Sequence, residues 1–154
     1  MISEKLFLAF DGSVAEGKAL AYVHSYTGNA LACAAAKVSL EALQPKIGSL
    51  STALADLQKL PGVKEVRQCG FIAGIELEEL PNGLGPSLAA AVCVEARRHG
   101  LLTRPLGNVI VLMPPLCITI DQLTKAVEAL RVSIAKVWNR SVIAARKDAE
   151  EITA

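Results

Sequence analysis

Apolar positions along the chain fall into helical stripes separated by short β-compatible runs. From Asn29 onward, Leu31, Ala34, Ala35, Val38 and Ala42 recur on one helical face. Asn29 is a natural cap, its side-chain oxygen able to accept from an orphan amide of the first turn. Pro45 and Gly48 are expected to interrupt this helix, after which Leu50, Ala53, Leu54, Leu57 and Leu60 rebuild a stripe that Pro61-Gly62 ends. Val63 to Leu80 holds two strand segments, with Gly70 and Gly74 marking a turn, a bulge or a close backbone contact.

A further helix is expected from about Ser87 to Arg98. Arg97, Arg98 and His99 place positive charge at its negative end, and Gly100 supplies a left-handed cap. Leu101 to Arg104 and Val109 to Met113 then read as a hairpin turning through Pro105-Leu106-Gly107-Asn108. Thr119 and Gln122 match a capping box at the head of a long stripe formed by Leu123, Ala126, Val127, Leu130, Ile134, Val137 and Trp138. Beyond Asn139 charges dominate, so the end reads as an exposed or fraying helical extension. Residues 1–24, with Asp11-Gly12-Ser13 and Glu16-Gly17-Lys18, carry no sustained pattern after the first turns and read as a lead-in with little core. Helix, strand pair, helix, hairpin, helix predicts an α/β layer, mostly antiparallel, with helices over one face of a small sheet.

Composition narrows the function classes. The 154 residues suffice for one compact domain, and 52 % hydrophobic against 20 % charged residues is the balance of a packed globule. Sixteen basic and fifteen acidic residues leave a net charge of +1, too little to attract nucleic acid through bulk charge. Cys33, Cys69, Cys93 and Cys117 lie far apart, which argues against a zinc site or a disulfide framework and suggests buried thiols in a reducing compartment. The apolar run at the start is too short for a signal peptide and no stretch reaches the length of a membrane span, so a cytoplasmic location without membrane contact is expected.

Three segments are more particular than composition requires. In the first, His24-Ser25-Tyr26-Thr27-Gly28-Asn29 precedes Ala30-Leu31-Ala32-Cys33-Ala34-Ala35-Ala36. A hydroxyl ahead of a helix start can share a phosphate with free amides and the positive end of the helix dipole, although an ordinary capped helix has the same look. In the second, Leu101-Leu102-Thr103-Arg104-Pro105-Leu106-Gly107-Asn108-Val109-Ile110 continues to Met113-Pro114-Pro115 and carries one guanidinium in an apolar hairpin. Such a fork binds a carboxylate bidentately, or else it is a surface arginine at a strand end. The third is Val66-Arg67-Gln68-Cys69-Gly70-Phe71-Ile72-Ala73-Gly74-Ile75-Glu76-Leu77, whose glycines usually mean tight strand packing.

In this order, the three segments resemble the C-terminal third of class III (omega-type) pyridoxal-phosphate aminotransferases, above all the branch that converts 8-amino-7-oxononanoate to 7,8-diaminononanoate in biotin synthesis. The resemblance spans essentially residues 1–138. It implies the C-terminal small domain of the fold-type I pyridoxal-phosphate-dependent transferases, a small mainly antiparallel sheet covered by helices. Residues 1–28 would then be a lead-in and phosphate-contact loop, 29–138 the aminotransferase C-terminal domain and 139–154 a polar tail. Ser25 stands where the family has a hydroxyl that reaches the phosphate of pyridoxal 5'-phosphate, usually in the neighbouring subunit, with His24 and Tyr26 beside it. Arg104 stands where the family arginine binds the carboxylate of the keto-acid substrate. Val111 occupies a position often aromatic in relatives, near the amino-donor pocket, which leaves open whether the donor is adenosylmethionine or lysine.

Transamination also needs a lysine to bond the cofactor and an acid paired with the pyridine nitrogen. The resemblance places both upstream of these residues, and Lys18, the lysine nearest the phosphate loop, lies in a polar stretch with nothing nearby to desolvate it. Activity would therefore need the cofactor-binding large domain as a partner, or a homodimer, together with small-molecule keto-acid and amino-donor substrates. The alternative is a non-catalytic fragment or an independent protein-interaction module, with apolar surface left exposed.

Overall fold

The computed structural model describes residues 3–18, 26–79 and 85–153. Two compact units, Met1–Leu40 and Glu41–Ala154, divide inside a long helix. In the first unit, α1 (Glu4–Phe10) is capped by Ser3, whose hydroxyl accepts the Leu6 amide at 3.3 Å. A single 3-10 turn, Val14–Glu16, follows. No residue of α1 is buried, and Phe7 is 57 % exposed, so the lead-in holds a short helix but no core.

Helix α2 (Ala30–Leu57) begins as expected on Asn29, whose Oδ1 accepts the Ala32 amide at 2.9 Å. Contrary to expectation it runs unbroken through Pro45 and Gly48. A proline inside a helix costs about 3 kcal/mol. Leu50, Leu54 and Leu57 are 0–3 % exposed, and each fully buried leucine contributes about 1.5–3 kcal/mol, which outweighs that cost. Leu43 and Ile47, on either side of Pro45, also lean on the core. The Leu31–Ala42 stripe, by contrast, is exposed in this chain.

In the second unit, β1 (Val63–Cys69) and β2 (Ile72–Leu77) pair antiparallel around the Gly70-Phe71 turn. Gly74, expected near a turn or contact, lies within β2, where a Cβ would meet the Val109 side chain at 3.2 Å. Helix α3 (Gly85–Arg97) then leads to β3 (Arg104–Leu106) and β4 (Val109–Leu112). The hairpin forms with a shorter turn than expected, because Pro105 and Leu106 already belong to β3. The sheet order is β1-β2-β4-β3, with every pairing antiparallel. Helix α4 (Ile120–Thr153) closes the unit from the expected capping box: Thr119 N donates to Gln122 Oε1 at 3.0 Å, and Gln122 N donates to Thr119 Oγ1 at 3.2 Å.

The alternation of the strands decides which face is dry. Ala73, Ile75 and Leu77 of β2 and Ile110 and Leu112 of β4 are buried against Leu88, Val92 and Ala96 of α3 and Leu123, Leu130 and Ile134 of α4. Helix α3 ends as the sequence predicts: Gly100 has φ 80°, and Leu101 N donates to Ala96 O at 3.0 Å. Midway along α4 the Trp138 indole lies against Gly62, where a Cβ would come within 2.2 Å of the ring. The cysteines depart from expectation. Cys93 alone is buried, its thiol pushed up by desolvation, while Cys33, Cys69 and Cys117 are exposed because they sit on outward-facing or loop positions.

Candidate functional site: an apolar cleft with two arginines

The residues that face away from the helices form rows across the sheet. Antiparallel register places Arg104 of β3 opposite Val111 of β4, Val111 opposite Gly74 of β2, and Gly74 opposite Arg67 of β1. The two ends of that row differ in charge balance. Arg67 is held by Glu65 at 2.8 Å and Glu76 at 2.9 Å, and Glu76 also takes Lys64 at 2.7 Å. The Lys64 hydrogen bond, aided by its charge and that of Arg67, holds the Glu76 carboxyl below its ordinary range. Arg104 has no carboxylate partner among the described residues.

Arg104 opens into a cleft of about 520 Å³. Its walls are Leu101, Leu102, Thr103, Val111, Leu112, Met113, Pro114, Pro115, Ile118 and Ala126, and its second cation is Arg97. The Thr103 hydroxyl donates to the Val111 carbonyl, tying the residue before Arg104 to its cross-strand neighbour. Lys46 Nζ donates to the Leu116 carbonyl at 2.8 Å and steadies the loop after Pro115. A guanidinium at the mouth of an apolar cleft suits a carboxylate on an aliphatic chain, because the chain leaves water while the fork takes both oxygens.

Of the residues expected at the cofactor phosphate, Ser25 and His24 lie outside the described residues. Tyr26 begins a turn in which Asn29 N donates to Tyr26 O at 3.2 Å and Gly28 has φ 72°, and its side chain is 75 % exposed. Tyr26 and Arg104 belong to different units. Arg97 was legible in the sequence only as a charge complementing the end of α3; helix phase gives it to the cleft while its neighbour Arg98 pairs with Glu95 at 3.0 Å. Among the described residues no group of His, Cys, Asp and Glu is placed to hold a metal. No described helix is long and apolar enough to cross a membrane.

A four-stranded antiparallel sheet with helices on one face is here the small α/β domain of a fold-type I pyridoxal-phosphate-dependent transaminase. The crystal structure of adenosylmethionine-8-amino-7-oxononanoate aminotransferase from Methanocaldococcus jannaschii matches it with a TM-score of 0.59 and 34 % identity, over 87 % of this chain and 34 % of that one. Within that class the chain belongs to the family Aminotransferase class-III, which matches residues 13–134. Curated relatives bearing the same enzyme name are 40 % identical in Nitratidesulfovibrio vulgaris and 38 % identical in Geobacter sulfurreducens, each over 89 % of this chain. The chain spans 28 % and 33 % of the lengths of those two relatives.

Proposed function

We propose that these residues are the C-terminal portion of an aminotransferase that converts 8-amino-7-oxononanoate to 7,8-diaminononanoate in biotin synthesis, with Arg104 as the anchor for the keto-acid carboxylate. The observation that carries this reading is the unpaired Arg104 guanidinium at an apolar cleft, in a stretch similar to relatives that bear that enzyme name. An eight- or nine-carbon chain with a terminal carboxylate needs this combination of apolar wall and charged end.

The start of α2 fits a phosphate contact. It offers the positive end of a 28-residue helix, and the hydroxyls of Ser25 and Thr27 stand just ahead of it in sequence. Asn29 already satisfies the Ala32 amide, so Ser25 is the residue assigned to reach the phosphate, with His24 and Tyr26 in the same loop. When bound, pyridoxal 5'-phosphate supplies the electron sink that amino transfer requires.

The lysine that bonds the cofactor and the acid facing its ring nitrogen are assigned to the portion of the relatives that lies outside the alignment. Among the described lysines, Lys5, Lys18, Lys37, Lys59, Lys64, Lys125 and Lys136 are exposed, with Lys59, Lys64 and Lys136 paired with Asp56, Glu76 and Glu95, and the half-buried Lys46 donates to the Leu116 carbonyl. A lysine that bonds a cofactor is normally desolvated to make its amine nucleophilic. On this reading these residues do not catalyse amino transfer by themselves and act together with a large domain or a homodimer partner. Exposed Leu31 (81 %), Val38 (63 %) and Leu40 (61 %) on α2 support such a docking surface. A cytoplasmic location accords with this role.

The test is reconstitution: these residues are mixed with, or joined to, the large domain of a relative, and turnover of 8-amino-7-oxononanoate is measured with adenosylmethionine and with lysine as donor. Restored turnover, with KM for the keto acid raised about tenfold or more by Arg104→Lys, is the expected result. A folded assembly that binds cofactor but shows an unchanged KM in that variant would sink the assignment of Arg104.

A further inference from the structure

We infer that Arg97 is a second carboxylate-binding residue of the cleft and shares one aliphatic carboxylate with Arg104, an inference that rests on reading Arg104 as the carboxylate anchor. Arg97 and Arg104 come from different elements, the last turn of α3 and the first residue of β3, yet line one cleft. Elsewhere in this unit Arg67, Arg98 and Arg131 are each held by a glutamate within 3.0 Å, and Arg140, which also lacks a carboxylate partner among the described residues, does not line the cleft. Arg97 and Arg104 have no such partner among the described residues, and no acidic side chain lines the cleft they share.

Two like charges on the lining of one apolar hollow are better accommodated when an anion sits between them. A carboxylate has two oxygens and about four acceptor sites, enough for two guanidinium groups at once. Leu101, Met113 and Pro114 then cover the methylene chain behind it. The plain alternative is that Arg97 only complements the negative end of α3, but Arg98 and His99 follow it there and provide that charge as well. A purely structural Arg97 affects folding stability and leaves ligand selectivity unchanged.

The experiment is a chemical-shift titration of the full chain with octanoate, with octanol as the uncharged control and suberate as the two-ended control. Arg97→Gln and Arg104→Gln are each expected to raise the octanoate Kd about tenfold or more, as loss of a charge-assisted hydrogen bond does, and to leave octanol binding unchanged. Arg97→Lys is expected to recover most of the loss, with the thermal midpoint of every variant near that of the parent chain. If Arg104→Gln weakens octanoate and Arg97→Gln does not, the inference fails while the reading of Arg104 stands. If only Arg97→Gln weakens it, the reading of Arg104 fails and with it the shared site. Absence of octanoate binding by the parent chain overturns both. Suberate binding about tenfold tighter than octanoate shows a carboxylate for each arginine and overturns the shared one, as does a parallel loss of octanol and octanoate binding in Arg97→Gln.

Discussion

Single residues show how narrow the tolerances are. Gly62 has φ 84° and carries the Trp138 ring where a Cβ would stand. Gly62→Ala therefore combines left-handed strain with a clash against a rigid indole, and it should destabilise the chain by at least about 2 kcal/mol in urea unfolding. The cysteines give a second prediction. Thiol reagents should label Cys33, Cys69 and Cys117 in the native chain and reach Cys93 only on unfolding, because burial both hides that thiol and pushes its pKa up. Labelling of Cys93 at the same rate as the others would contradict the packing of α3. Neither property was legible beforehand. A glycine after a proline reads as a helix stop whether or not an indole covers it, and a cysteine reads as a small apolar residue whichever side of a helix it occupies.

Between elements, the tie of α3 to α4 is ionic at its edge. The Glu95 carboxylate, 6 % exposed, takes Lys136 Nζ at 2.6 Å and Arg98 Nη1 at 3.0 Å, and it lies 3.7 Å from His99 Nε2. The Lys136 hydrogen bond is the largest cause holding the Glu95 carboxyl below its ordinary value of 4.5. A carboxyl depressed in the folded chain stabilises it fully above the unfolded value, and that contribution disappears as pH falls through the folded value. The thermal midpoint should thus fall below about pH 4.5, and more steeply than in Glu95→Gln, where this group no longer titrates. Parallel midpoint curves for the two proteins would show that the cluster adds nothing. The caps make a simpler case: Thr119→Ala removes the acceptor of the Gln122 amide and should cost about 1 kcal/mol in chemical denaturation. That cap, the Asn29 cap and the Gly100 stop were all visible in the sequence, because their partners lie within a few residues. Pro45 misled for the opposite reason: the leucines that keep α2 helical past it act through contacts remote in sequence.

At the scale of the whole chain, exposed apolar side chains mark where the fold is unfinished. Leu31 (81 %), Val38 (63 %) and Leu40 (61 %) on α2, together with Phe7 and Phe10 on α1, are open to water, whereas the core draws on residues from Leu50 onward. Added alone to a solution of a dye that fluoresces on apolar surface, the chain should give strong emission, and Leu31→Glu with Val38→Glu should quench much of it. Weak emission from the parent chain would argue against an incomplete surface. The sequence by itself determined the α/β class, the order of elements, the hairpin that carries Arg104 and the resemblance to class III aminotransferases, since periodicity, turns and ordered motifs are all local properties of the chain. Only the tertiary structure decided that α2 continues through Pro45, that three of the four cysteines are exposed, and that Arg97 lines the same cleft as Arg104 while Arg98 turns to Glu95. The reason is physical: a side chain's partner across a cleft or a core is fixed by helix phase, strand register and the burial that outweighs local propensity, and these are settled only when the elements pack.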